Sequence, residues 1–234
     1  MTLKWIEGRA AQVFLFTAAL FILVAASKLF GGYPVTGDDI WGATAVLGDP
    51  LDVIVFTLRW DLHPPLYYSL LDIWSLLSKT DLWLQSSSSF MHAAVTALTF
   101  NIVLKREGKL AAIISTLLVF SSPLLLEYST HIRMYSFLSL ISLGLFYFVD
   151  KYTSTGEGKY LKWIFILGIL LSNSHAIGIL FVFFHFCYGA LYLYQNRPKL
   201  IVWMFLHAII GLLALPAIVN SVLKSVSHAT EPTV

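Results

Sequence analysis

Leu161-Lys-Trp-Ile-Phe-Ile-Leu-Gly-Ile-Leu-Leu-Ser172-Asn173-Ser174-His175-Ala-Ile-Gly-Ile-Leu-Phe-Val-Phe-Phe-His-Phe-Cys-Tyr-Gly-Ala-Leu-Tyr-Leu-Tyr194 decides the fold class. As one helix it would be roughly 50 Å long, well beyond a hydrocarbon layer about 30 Å thick. Splitting it at the polar tetrad Ser172 to His175 gives two helices, the first of them short. Outward from this pair, five more apolar stretches read as crossings: Ala10 to Phe30, Phe90 to Leu104, Leu110 to Leu126, Met134 to Val149 and Leu200 to Val219. The expected fold is therefore an all-α polytopic membrane protein with about seven transmembrane helices, a single module over residues 1–234. Composition agrees. Only 12% of the 234 residues are charged and 58% are hydrophobic, with a mean hydropathy of +0.77, against about 25% charged in a soluble domain. A net charge of +2 is too small to suggest a nucleic-acid footprint, and no nucleic-acid partner is expected. The lone Cys187 lies in an apolar run and reads as a packing thiol. Val24 to Ser27 would also pass as a weak signal-peptidase site, which leaves removal of the first stretch as an alternative.

Charge sets the expected orientation. With seven crossings and the N-terminus inside, inner segments hold ten of the 15 Lys and Arg, including Lys4, Arg9, Lys105, Arg106, Lys109, Lys151, Lys159, Lys162, Arg197 and Lys199. Outer segments hold Lys28, Arg59, Lys79, Arg133 and Lys224, and the C-terminus is outside. Counting His63 to Leu77 as a crossing would invert this bias. That stretch is short, opens on Pro64-Pro65 and carries Asp72, so it is expected to lie as a helix in the outer interface, with Tyr67, Tyr68, Trp74 and Trp83 at headgroup level. The first outer loop, residues 31–89, is far longer than the other connections and collects most of the outer acids. Such loops are functional or disordered, and its aromatic content argues against disorder. Within it, Ser86 to Ser89 reads most simply as a helix start.

Three outer clusters carry chemistry. Asp38-Asp39 follows the first crossing, and the pair reads either as a helix cap or as a general base at the membrane surface. Asp61-Leu62-His63-Pro64-Pro65-Leu66-Tyr67-Tyr68 holds a histidine that paired prolines keep out of helical geometry, either an interfacial structural residue or a positioned ligand. Glu127-Tyr128-Ser129-Thr130-His131-Ile132-Arg133-Met134-Tyr135 bridges the third and fourth crossings. Ionisable residues between apolar helices are functional candidates, and Arg133 suits a phosphate as a bidentate fork, or else snorkels to headgroups.

In order and spacing these clusters resemble the membrane-embedded GT-C glycosyltransferases, closest to the protein-mannosyltransferase and aminoarabinose-transferase branch. Ser172-Asn173-Ser174-His175 resembles that family's short polar Thr-His turn, and Pro216 falls where it often has a proline. The resemblance spans nearly the whole chain and corresponds to the N-terminal seven-helix module. It implies that a sugar on a polyprenyl-phosphate carrier is passed, with inversion, to an acceptor hydroxyl on a protein, lipid or glycan at the outer, periplasmic or lumenal face of a plasma or inner membrane. Asp38 would be the catalytic carboxylate, with Asp39 in place of a usual Glu. Arg59, His63, Glu127, His131, Arg133, Tyr135 and His175 would contact substrate. No cofactor is required. A divalent metal on the phosphate is compatible with the chemistry, though no histidine spacing points to one. Two departures stand out. The family's second acidic site usually reads Glu-Ala-Arg-Met-Tyr, whereas this chain has His131-Ile132-Arg133-Met134-Tyr135, with Glu127 one helical turn earlier as a substitute. Family members also continue beyond this module, which implies a minimal enzyme, one part of a split enzyme with a second membrane subunit, or a truncated copy. The rival readings are a non-catalytic subunit that binds the lipid carrier and a small transporter. Mid-span stretches almost free of charge disfavour the transporter.

Overall fold

Asp81 in the first turn and Lys105 and Arg106 in the last match the two ends of a helix dipole, and between them the chain runs as one helix of 27 residues. The computed structural model describes residues 14–23, 35, 37–61 and 63–230. The flanks of the first expected crossing, with Lys4, Arg9 and Lys28, lie outside the described residues, as do Val24 to Ser27, Leu62 and Glu231. The described helices are α1 (Phe14–Leu23), α2 (Asp38–Ala45), α3 (Pro50–Trp60), α4 (Leu66–Ser75), α5 (Asp81–Glu107), α6 (Lys109–Phe120), α7 (Pro123–Tyr128), α8 (Tyr135–Thr155), α9 (Leu161–Ser172), α10 (Ala176–Leu193) and α11 (Arg197–Thr230). A 3-10 turn at Gly158–Tyr160 precedes α9, and no strand occurs among the described residues.

A helix lies at each place the sequence suggests, but only α5, α10 and α11 are long and apolar enough to cross a membrane among the described residues. The other expected crossings are shorter or more polar among the described residues, for identifiable reasons. Pro123 lacks an N–H and drives Ser122 to φ −58°, ψ 120°, so the stretch Leu110 to Leu126 breaks into α6 and α7. With 12 residues each, α6 and α9 span about 18 Å. The 21 residues of α8 end on the polar run Asp150-Lys151-Tyr152-Thr153-Ser154-Thr155. At 10 residues, α4 is about 15 Å long, too short to cross.

The chain groups into two compact units, Met1–Leu47 with Leu71–Leu143 and Gly48–Leu70 with Gly144–Val234. In the first, Ala19 and Leu23 of α1 pack with Ala93 of α5, flanked by Phe16, Leu20, Phe120 and Leu126. Trp74 and Trp83 brace the approach to α5. Each indole N–H donates to the other residue's carbonyl, at 2.9 and 2.8 Å, and the rings stack 5.0 Å apart. The start of α5 at Asp81 corrects the expectation that Ser86 to Ser89 begins a helix. Ser86 and Ser87 sit inside it and donate to the carbonyls of Trp83 and Leu84 at 2.6 and 2.7 Å. The buried face of α5 is unusually polar, with Gln85, Ser87, Ser88, Ser89, His92, Thr96 and Thr99. Such groups pair across helices where water is excluded, as His92 Nε2 does with the Phe120 carbonyl at 3.3 Å.

In the second unit α9, α10 and α11 pack through small residues. Trp203 of α11 is fully buried, donates to the Phe186 carbonyl at 3.0 Å and stacks on Tyr152. Gly189 makes this possible, since a Cβ there would lie 2.3 Å from Trp203 Cζ2. The tetrad Ser172 to His175 ends α9 as its composition suggests. Ser174 donates back to the Leu170 carbonyl at 2.6 Å, and His175 Nδ1 caps α10 by accepting from Ile177 N–H at 3.0 Å. Tyr67 and Tyr68 depart from expectation. They are 1% and 0% exposed, so their rings pack within the protein and do not face outward as an interfacial belt would. Substituting Gly189 by Ala is expected to lower stability by about 1–3 kcal/mol through overpacking against Trp203, read as thermal unfolding in detergent micelles. Gly211→Ala meets open space and serves as the neutral comparison; equal melting of the two variants would refute the packing.

Candidate functional site

Asp38 and Asp39 occupy successive positions in the first turn of α2, where the helix dipole favours anions. Neither is the cap, a position held by Gly37. Successive helical residues point about 100° apart, and here that separates two environments. Asp39 is 1% exposed. Its Oδ1 accepts the Ile132 backbone N–H at 3.1 Å and its Oδ2 lies 2.7 Å from His131 Nδ1. Because a carboxylate oxygen accepts, Nδ1 carries the proton and the tautomer of His131 is fixed. The Asp38 side chain is 79% exposed, and its Oδ2 lies 2.6 Å from the Arg133 guanidinium, which is 8% exposed.

The segment between α7 and α8 that carries His131 and Arg133 is tied down on several sides. Ser88 donates to the His131 carbonyl at 2.6 Å and Ser89 to the Ser129 carbonyl at 2.7 Å. Ser136 donates to the Tyr128 carbonyl at 3.1 Å, while Ile132 and Met134 are fully buried. Against this segment α2 comes unusually close, since a Cβ on Gly42 would lie 2.6 Å from the Ile132 carbonyl oxygen. The tyrosines flank it, with the Tyr128 ring 4.2 Å from Tyr135 and 5.9 Å from His131. Glu127 is exposed near the end of α7, which stops at Tyr128. His131 therefore lies beyond that helix, and the one-turn relation expected between Glu127 and His131 does not exist.

The second unit holds the other candidates. Asp61 closes its own motif by accepting His63 N–H through Oδ1 at 2.9 Å and Tyr68 O–H through Oδ2 at 2.7 Å. The His63 ring stacks on His175 at 4.3 Å. Lys224 donates to the Thr57 carbonyl at 2.9 Å and also to that of Asp61, so a cation stands at the C-terminal end of α3. Arg59 is exposed, its guanidinium 5.2 Å from the Trp60 ring centre. Sequence reasoning gave no site role to Ser88, Ser89, Gly42 and Lys224, and named Asp61 only as the start of its motif. The signal for the serines was a polar run inside an otherwise apolar segment. Among the described residues no group of three or more His, Cys, Asp or Glu is arranged to hold a metal ion. No family model, curated protein or solved structure matches the chain.

The two aspartates should separate in stability. Asp39→Ala strips partners from a buried N–H and from an imidazole, for an expected cost of about 2–4 kcal/mol. Asp38→Ala removes a mostly exposed carboxylate, for about 1 kcal/mol or less. Unfolding in mild detergent measures both, and a reversed order would overturn the geometry of the first turn of α2.

Proposed function

We propose that the protein moves a sugar from a polyprenyl-phosphate carrier to an acceptor hydroxyl at the outer face of a membrane. The observation that carries this reading is the pair made by exposed Asp38 and buried Arg133. A water-facing carboxylate beside a guanidinium held in place by its surroundings supplies a proton acceptor and an oxyanion partner side by side. The order of motifs seen in the GT-C family supports the same assignment.

In the proposed reaction the carrier phosphate takes the Arg133 guanidinium, which releases Asp38. The acceptor O–H bond breaks with its proton passing to Asp38, and the oxygen bonds to the anomeric carbon. The bond from that carbon to the phosphate oxygen breaks, and its electron pair leaves with polyprenyl phosphate, whose charge Arg133 stabilises. Attack opposite the leaving group inverts the centre. Asp39 is a positioning residue that orients His131 and the backbone of Ile132, and His131 presents its ring to the phosphate. Tyr135 and Glu127 are assigned to sugar or acceptor contacts. The assignment of Arg59, His63 and His175 to substrate rests on the resemblance alone. The outer orientation rests on the Lys and Arg count. A second reading, a carrier-binding subunit without chemistry, draws support from the pairing of His131 with Asp39 where the family has a further acid.

Mass spectrometry of lipids that co-purify with the protein in mild detergent tests the donor site. The wild type is expected to carry a polyprenyl phosphate or its glycosyl ester, and Arg133→Ala to lose it. Asp38→Asn is expected to keep the lipid while slowing transfer from it by at least about 100-fold. Only bulk phospholipid in every sample would refute the donor site. A lipid-loaded protein with full activity in Asp38→Asn would remove Asp38 as base, and carrier retention with no transfer by the wild type would favour the non-catalytic subunit.

A further inference from the structure

In the first unit a cleft of about 410 Å³ follows the start of α5, with Leu20 of α1 and Trp74 of α4 completing its wall. Leu82, Trp83, Ser86 and Phe90 line it from α5, three and four residues apart and so on one helix face. From Thr80 to Phe90 this wall runs about 15 Å, and its chemistry changes on the way from hydroxyls to indoles to a phenyl ring. Each indole N–H is engaged by the other residue's carbonyl, so Trp74 and Trp83 offer an occupant ring surface alone. Ser86 donates to the Trp83 carbonyl at 2.6 Å, which leaves its oxygen to accept. Ser78 and Thr80 share one bond between their hydroxyls, at 3.1 Å, and Ser78 Oγ also accepts the Thr80 N–H at 3.3 Å. Whichever hydroxyl donates within that pair, the other keeps its proton for an outside acceptor. Thr80 is exposed, and Ser78 and Ser86 are half-buried at the wall of the cleft.

A donor, acceptors and ring surface side by side narrow the occupant. No charged side chain lines the cleft. Lys79, between the two hydroxyl residues in sequence, reaches to the Leu47 carbonyl at 3.3 Å, and Asp81 stands in the first turn of α5. A phosphate would therefore find no cation and a carboxylate close by. An ammonium head needs rings around it, whereas Trp74 and Trp83 stack on each other, 5.0 Å apart. A bare hydrocarbon would cover the hydroxyls and leave them unmet. A sugar ring satisfies every part, because its hydroxyls both donate and accept while its C–H face, positive at the hydrogens, suits the negative face of an indole. The other end calls for a lipid chain. Phe90 is 39% exposed and packs edge-on against Phe16 of α1, on a helix long and apolar enough to cross a membrane. We propose that this cleft binds an uncharged glycolipid, with its sugar at Trp74, Trp83 and the hydroxyls of Ser78, Thr80 and Ser86, and its chain past Phe90. Neither Asp38 nor Arg133 lines the cleft, and the site is independent of the sugar-transfer reading.

The test uses two photoreactive probes in phosphatidylcholine vesicles carrying the purified protein, a dialkylglycerol with a diazirine in one chain and its β-glucoside. Labelled peptides are mapped by mass spectrometry over a range of probe concentrations. The glucoside is expected to label the first half of α5 with an apparent affinity roughly tenfold above the bare dialkylglycerol, the worth of one or two hydrogen bonds. Thr80 makes no side-chain cap on α5, so Ser78→Ala combined with Thr80→Val removes the donor pair and leaves the helix start in place. That variant should shrink the glucoside's advantage severalfold while keeping the bare lipid's level. Ser86→Leu, which puts a chain into the cleft, should reduce labelling by both probes. Equal labelling by the two probes in the wild type overturns the proposal without reliance on any variant. Labelling indifferent to Ser86→Leu overturns it as well, because the probes would then sit elsewhere. Displacement of the glucoside probe by an equal concentration of free methyl β-glucoside would overturn the lipid part, since the chain would then contribute nothing.

Discussion

A single buried carboxylate organises the first unit. Asp39 has lost all contact with solvent, and an anion there is tolerable only because three sources of positive potential converge on it. These are the α2 N-terminus, the Ile132 N–H and the His131 Nδ1–H. The same contacts weld α2 to the segment between α7 and α8. Gly42 makes the weld close enough, and Ser88 and Ser89 hold the segment from its other side. Once Asp39 is fixed, its neighbour must face the other way. Asp38 is thereby turned to solvent, where it meets the Arg133 guanidinium.

This is also where sequence reading stops. Asp38 and Asp39 are identical in type and adjacent, and nothing in the linear order tells which is buried. The choice belongs to helix phase and to Gly42, whose importance is a distance and not a composition. Apolar content located the helices well, because burial of apolar side chains in lipid leaves a signal in every residue. Their lengths were less legible. A break at Ser121-Ser122-Pro123 depends on one missing N–H, and the apolar run continues past it. The burial of Tyr68 is likewise not written in its residue type. Amphipathic rings suit an interface, yet an acceptor such as Asp61 can draw a phenol inward just as well.

The second unit shows how a short motif satisfies itself. Asp61 serves both a backbone N–H two residues on and a phenol seven residues on, so the prolines between them are held in a closed loop. His63 is then presented to His175, a residue already committed to starting α10. The polar tetrad that divides the apolar stretch Leu161 to Tyr194 is thus a junction of two helices and a support for an imidazole at once.

The mutual hold of Trp74 and Trp83 has an optical side. Two indoles 5.0 Å apart and within 13° of parallel are coupled chromophores, whose excited states mix and split. Their circular dichroism carries a paired band that neither ring alone would give. Since each ring is also tied to the other's backbone, the coupling lasts only while the link between α4 and α5 stays closed. The chain contains its own spectroscopic gauge of that link, with no label attached.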